Sequence, residues 1–196
     1  MAHATEDMIK SILDKFSRID YIRPSELPDI DLYMDQVTTF MERRLQDKKR
    51  YESDKILTKT MINNYAKNDL LPPPAKKKYS KDHMLLLVFI YYFKSILSIS
   101  DIQKILGPIS EKYFGKDQNL DLESLYDEVF SLEAGEIEAV KNDILAKFDR
   151  SKETFPDVST DEAEYLQLFS FICMLSFDVY VKKQLIEKII DESFSE

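Results

Sequence analysis

The sequence predicts an all-α protein, on three observations. Apolar residues recur at three- and four-residue spacing along almost the whole chain. Its seven prolines and three glycines fall between those periodic stretches. Strand-like alternation is missing, except around a lysine cluster where a tiny hairpin would fit.

The first stretch, Glu6 to Phe16, gathers Met8, Ile9, Ile12, Leu13 and Phe16 on one helical face. Pro24 and Pro28 make "YIRPSELPDI" a connector. A second helix, Asp31 to about Leu45, is expected to turn Leu32, Met34, Val37, Phe40, Met41 and Leu45 inward. Thr58 is a good cap for a short third helix whose apolar face is Met61, Ile62 and Tyr65. Its opposite face carries Lys59, Thr60, Asn63, Asn64 and Lys67. Pro72 to Pro74 end this unit, with Leu70 and Leu71 packing back onto the core. Ser80 can cap the next helix, which runs to about Leu97 and offers Leu86, Leu87, Phe89, Ile90 and Phe93 for burial. Ser100 is expected to cap a further helix that Gly107 and Pro108 end.

The second half is also helical. Leu122, Leu125, Tyr126, Val129, Phe130 and Leu132 form one stripe; Ile137, Val140, Ile144, Leu145 and Phe148 form another. Gly135 lies between them, giving either two helices or one interrupted helix. Ser159 or Thr160 then caps a last helix from about Asp161 to Ser193. The expected division is an N-terminal helix and connector at 1–30, a compact helical unit at 31–108 and a C-terminal helical unit at 109–196.

The net charge of −9 argues at first against a nucleic-acid partner. Its distribution argues the other way. Between Met41 and His83 twelve Lys/Arg stand against six Asp/Glu, and the rest of the chain carries fifteen against thirty. One basic segment on an acidic body is compatible with a localised phosphate-binding face.

The segment "TKTMINNYAKNDLLPPPAKKKYS" supplies the parts of such a face. A helix entering the major groove needs an apolar face for its scaffold and a polar face free for bases. Asn63 and Asn64 can bond adenine bidentately at N6 and N7, and Lys59 and Lys67 can reach flanking phosphates. The prolines stiffen the exit, so Lys76, Lys77 and Lys78, with Tyr79 closing the loop, can sit beside the groove at little ordering cost. The bland alternative has the asparagines facing water and the lysines decorating a loop.

This order of residues resembles the winged helix-turn-helix of MerR-type regulators. Ile62 and Tyr65 occupy that family's apolar and aromatic core positions, and Leu70, Leu71 and Pro72 match the segment leading into its wing. Ile99, Asp101 and Ile102 match the turn and helix that close the domain. Asn63 replaces the usual recognition-helix arginine, Asp69 replaces a glycine, the loop is shorter than the usual wing, and no long terminal coiled coil is evident. The chain is also similar to a domain-of-unknown-function family of Gram-positive bacteria, described as MerR-like. The resemblance implies a winged helix-turn-helix with a short basic wing, a C-terminal helical domain, double-stranded DNA as partner and a role in transcription regulation. A helical adaptor on the same scaffold is the alternative.

Catalysis has little to build on. His3 and His83 are far apart, and His83, in the first turn of a helix, reads as a surface residue. Gly107, Gly115 and Gly135 form no phosphate cradle, and no Cys/His metal set exists. No cofactor is expected. The lone cysteine, Cys173, cannot form an internal disulfide and reads as an inert core thiol. The stretch Tyr165 to Val181 is strongly apolar, but it contains Gln167 and Asp178 and falls short of the roughly 20 residues a membrane span needs. It is expected to be a buried helix or a homodimer interface, and the less favoured reading has it line the pocket of an unnamed small-molecule effector. The N-terminus lacks the apolar core of a signal peptide, which suits a cytoplasmic protein with no membrane partner.

Overall fold

The computed structural model describes residues 2–16, 21–116 and 120–194. The side chains of His3, Phe16 and Thr160 lie outside the described set. Helices dominate: α1 (Ala2–Phe16), α2 (Met34–Leu45), α3 (Lys59–Lys67), α4 (Lys81–Phe93), α5 (Ile99–Tyr113), α6 (Leu122–Ser151) and α7 (Thr160–Ser193). Two short strands, β1 (Leu32–Tyr33) and β2 (Lys78–Tyr79), pair antiparallel with Leu32 opposite Tyr79 and Tyr33 opposite Lys78. The architecture is all-α with one minimal sheet.

Contacts divide the chain into two compact units: Met1–Tyr21 with Phe130–Ile186, and Ile22–Val129 with Glu187–Glu196.

The Ile22–Val129 unit is organised around α4. Every residue from His83 to Ile90 is buried, so this helix is covered on all sides, as its unbroken apolar sequence requires. Val37, Met41 and Leu45 of α2, Ile62 of α3, and Ile102 and Leu106 of α5 are buried in the same unit. Tyr126 of α6 packs edge-on to Phe89 at 5.2 Å and donates its hydroxyl to the Ile22 carbonyl at 2.7 Å. A buried phenol needs such a partner, and here the bond fixes the start of the unit. Lys94 donates to the Ile56 carbonyl and tethers the α2–α3 connector, where Ile56 and Leu57 are buried.

Several boundaries differ from the sequence expectation. Leu32 and Tyr33 are extended rather than helical, because β2 supplies a partner far along the chain. The α5 cap is Ser98, not Ser100: Ser98 Oγ accepts from the Asp101 backbone N–H at 3.1 Å and donates to its carboxylate at 2.6 Å. Gly107 and Pro108 do not end that helix. Pro108 is exposed, so its ring needs no core space and only one helical hydrogen bond is lost. The helix stops at Gly115, whose φ of +64° is the left-handed turn suited to glycine and whose N–H donates to Asp82 at 2.7 Å. Gly135 lies inside α6 without breaking it.

The other unit has a thinner core. Ile9 and Leu13 of α1, Phe148 of α6 and Phe171 of α7 form it, with Ile144, Leu145, Leu168 and Leu175 packed around. Phe148 and Phe171 meet edge to face at 5.3 Å. Ion pairs fringe this core: Lys147 with Asp178 at 2.7 Å, and Lys152 with Glu6 at 2.9 Å. Hydrogen bonds from Lys10 first, then Lys152, hold the Glu6 carboxyl down at about 2.

Of the two readings expected for α7, a buried helix or a subunit interface, the exposure of its side chains removes the first. Tyr165 and Phe177 are 71% and 65% exposed, and Cys173 is exposed rather than a core thiol. By length and composition alone, Glu162–Ser193 is long and apolar enough to cross a membrane.

Candidate nucleic-acid interface

Helix α3 is short enough to depend on its cap and its anchors. Thr58 Oγ1 accepts from the Met61 N–H at 3.1 Å, satisfying one otherwise unpaired amide of the first turn. Ile62 and Tyr65 are buried and hold the helix on its scaffold; Met61 is only half-buried. With that face fixed, helical spacing turns Lys59, Asn63 and Lys67 outward in one row, and Asn64 beside them. All four are exposed. Lys59 pairs with Asp35 at the start of α2, so one positive charge of the row is partly neutralised. The side chains of Asn63, Asn64 and Lys67 make no hydrogen bond or ion pair among the described residues.

The exit from α3 is a left-handed turn. Asp69 has φ +54°, and the N–H groups of Leu70 and Leu71 both donate to the Tyr65 carbonyl, at 2.9 and 3.2 Å. This is the position where the MerR resemblance leads one to expect glycine. Aspartate is among the few other residues that tolerate it. Leu70 and Leu71 then dive into the core, at 3% and 0% exposure.

After the three prolines comes a tight hairpin. The Lys78 N–H donates to the Ala75 carbonyl at 2.9 Å, and Lys76 and Lys77 have φ of +51° and +65°. Positive φ at both central positions defines a type I′ turn, whose twist suits a two-residue hairpin but which normally takes Asn-Gly. Two lysines here carry strain of roughly 1–3 kcal/mol each. Both are exposed and make no ion pair among the described residues. Lys78 is less free: its Nζ lies 5.3 Å from the centroid of the Tyr33 ring on the paired strand.

Two expectations fail at the base of the hairpin. Tyr79, expected among the DNA contacts, is 2% exposed and faces inward, because its position in β2 opposite Leu32 points it to the core. It anchors the hairpin instead. His83, expected on the surface, is 3% exposed, wedged edge-on against Tyr79 at 5.3 Å and Phe114 at 4.7 Å. Its Nδ1 accepts from the Ser80 N–H at 2.9 Å, so it closes a capping interaction at the start of α4. Its buried Nε2 makes no well-formed hydrogen bond among the described residues, although the Pro72 and Pro73 backbones lie near the ring. Burial pushes the ring's pKa below the ordinary histidine value, against the pull of the Pro72 and Pro73 backbones.

Both candidate contact elements rest on one support. Helix α2 touches α3, β1 and β2, so the outward row of α3 and the lysine hairpin belong to one scaffold. Tyr33, Asp35 and His83 shape this region and were missed from sequence. Only the lysine-tyrosine and lysine-aspartate pairings across distant segments could have signalled the first two.

A family model described as a domain of unknown function, DUF1836, matches residues 22–129. The chain belongs to that family. The DUF1836 match coincides with the contiguous segment Ile22–Val129 of the second structural unit, so family and fold draw the same limits. No curated protein and no solved structure matches the chain.

Proposed function

We propose that the protein binds double-stranded DNA as a transcriptional regulator, through a MerR-like winged helix-turn-helix within Ile22–Val129. In this reading α2 and α3 are the two helices of the motif, and α3 enters the major groove. Asn63 and Asn64 read base edges there, while Lys67 and the hairpin lysines Lys76 and Lys77 hold phosphates. Lys59 adds a contact once Asp35 releases it. Lys78 braces the wing through Tyr33, and Tyr79 anchors it.

The observation that carries the proposal is the strained lysine turn. A chain that needed only a connector there would place Asn-Gly in the turn and avoid the cost. Two cations held at positive φ, beside a helix with an unpartnered amide face, favour a polyanionic partner over plain solvent exposure.

The test is fluorescence anisotropy with random-sequence duplex DNA, first at low salt and then across a salt series. Binding is expected to weaken steeply with salt, by roughly 0.9 in log–log slope for each phosphate contact. No binding at low salt overturns the proposal, and the adaptor reading takes its place.

A further inference from the structure

The outward face of α7 has an order that points to its partner. Phe171, Leu168 and Leu175 face the core of their unit, and Asp178 on the same side pairs with Lys147. At 100° per residue, the outward side of the helix presents a row of Tyr165, Phe169, Ile172, Cys173, Ser176 and Tyr180, with Phe177, 65% exposed, on its flank. Tyr165, Phe169, Ile172 and Tyr180 are 53–71% exposed, and Cys173 is exposed too. No charged residue interrupts this stripe over about 23 Å of helix. Its ends are charged and opposite in sign: Glu162 precedes it and Lys183 follows it on the same side.

We propose that this stripe is a homodimer interface in which two copies of α7 pair antiparallel about a two-fold axis between Ile172 and Cys173. About that axis the pattern is self-complementary, as an isologous contact demands. Tyr165 meets Tyr180 of the other copy, and Phe169 meets the small Ser176. Glu162 meets Lys183 at both ends. A parallel pair would instead put Glu162 against Glu162 and Lys183 against Lys183. A bilayer fits less well, because the other side of the same helix is committed to the core of its unit and Glu162 puts an acidic group at one end of the stripe. The proposal goes beyond DNA binding and does not depend on it.

The experiment uses the full chain in sedimentation velocity, with charge reversals as the decisive arm. The intact protein should sediment at twice the 23.0 kDa of one chain. Phe169→Asp with Ile172→Asp should give a monomer of unchanged helicity, since both positions lie outside the core. Glu162→Lys and Lys183→Glu should each weaken the dimer, roughly fivefold, and together should restore it. Cys173, the chain's one cysteine, lies beside the proposed axis, where copies packed about 8–10 Å apart bring the thiols within reach of a short bismaleimide. Cross-linking should be lost in the Phe169→Asp, Ile172→Asp variant. A monomer at every concentration overturns the proposal. So do single charge reversals that leave dimerisation unchanged, which mean a parallel pair. Flotation of the intact protein with neutral phosphatidylcholine vesicles, abolished by the same aspartates, also overturns it in favour of a lipid surface.

Discussion

In the Ile22–Val129 unit, α4 buries every side chain from His83 to Ile90, and large exposed apolar residues such as Ile30 and Tyr51 are scattered singly. In the unit built from α1 and Phe130–Ile186, the buried core is Ile9, Leu13, Phe148 and Phe171, and exposed aromatics line one side of a helix. Scattered apolar residues are ordinary on a protein surface, whereas a continuous stripe marks a contact. The first unit closes over its own core and offers polar groups outward. The second offers hydrophobic ones. On the two proposals made above, the same chain separates a surface for a polyanion from one for a second copy of itself.

The sharpest way to break this comparison is to treat the two sides of α7 alike. Phe171→Ala should lose about 3–5 kcal/mol in denaturant unfolding, the usual cost of emptying an aromatic core site. Phe169→Ala, two positions away, should stay within about 0.5 kcal/mol in the dilute monomer. Equal losses would mean that the stripe is core and not surface.

Next in size are the asparagines. Asn63→Ala or Asn64→Ala should reduce preference at one base position by about 1–3 kcal/mol while leaving the salt slope and the unfolding midpoint almost unchanged. Competition with single-position duplex variants measures it. An equal loss on random DNA would show that these residues do not read sequence.

The hairpin offers a smaller effect with opposite signs on stability and binding. Lys77→Gly relieves a left-handed lysine, so it should raise stability by about 1 kcal/mol and flatten the DNA salt slope by roughly 0.9. Lys77→Ala should flatten the slope equally without the gain in stability. If both variants destabilise, the turn is held by contacts of the lysine side chain, and the functional account of its strain falls.

The smallest effects separate the units by pH. His83 is held below its ordinary value of 6.5 by burial, so the unfolded chain takes up protons first as pH falls. Stability that is full above about 6.5 should therefore decline below it, and His83→Phe should remove that dependence. Glu6 is lowered from 4.5 to about 2 by Lys10 and Lys152, so the docking of α1 should weaken only as pH falls from about 4.5 towards 2. Melting curves of the His83→Phe and Glu6→Gln variants across pH 2–8 check both windows.

The parts legible in the sequence are those fixed by neighbours a few residues away. Thr58, Ile62 and Tyr65 placed α3 and its free face correctly because cap and periodicity are local. Leu32 and Tyr33 continue a helical pattern in the sequence because a two-residue strand has no period of its own and its partner is at Lys78 and Tyr79. Pro108 looks like a stop in the sequence, yet a proline on an exposed helix side costs one hydrogen bond, which the rest of α5 outweighs. His83 and Tyr79 look like polar surface groups until the hairpin folds over them. In α7 nearly every side is apolar, so composition could not say that Phe171 is covered and Phe169 is not. The lysine cluster was legible as charge, but its left-handed turn was not, since lysine is a poor predictor of positive φ.

The pairing of β1 with β2 also sets an order of events in time. Leu32 and Tyr79 are about 47 positions apart, so their union must wait for the chain between them to be gathered. Helix α3 has to wait only for its own cap and for Ile62 and Tyr65 to reach α2, a shorter loop than the one the strands must close. On refolding, amides of Ile62 and Tyr65 should gain protection from exchange before those of the β1–β2 pair, as pulse labelling would read. A newly made chain would then carry its amide-bearing helix for a time before its lysine hairpin is docked, and during that interval its hold on a polyanion would be incomplete.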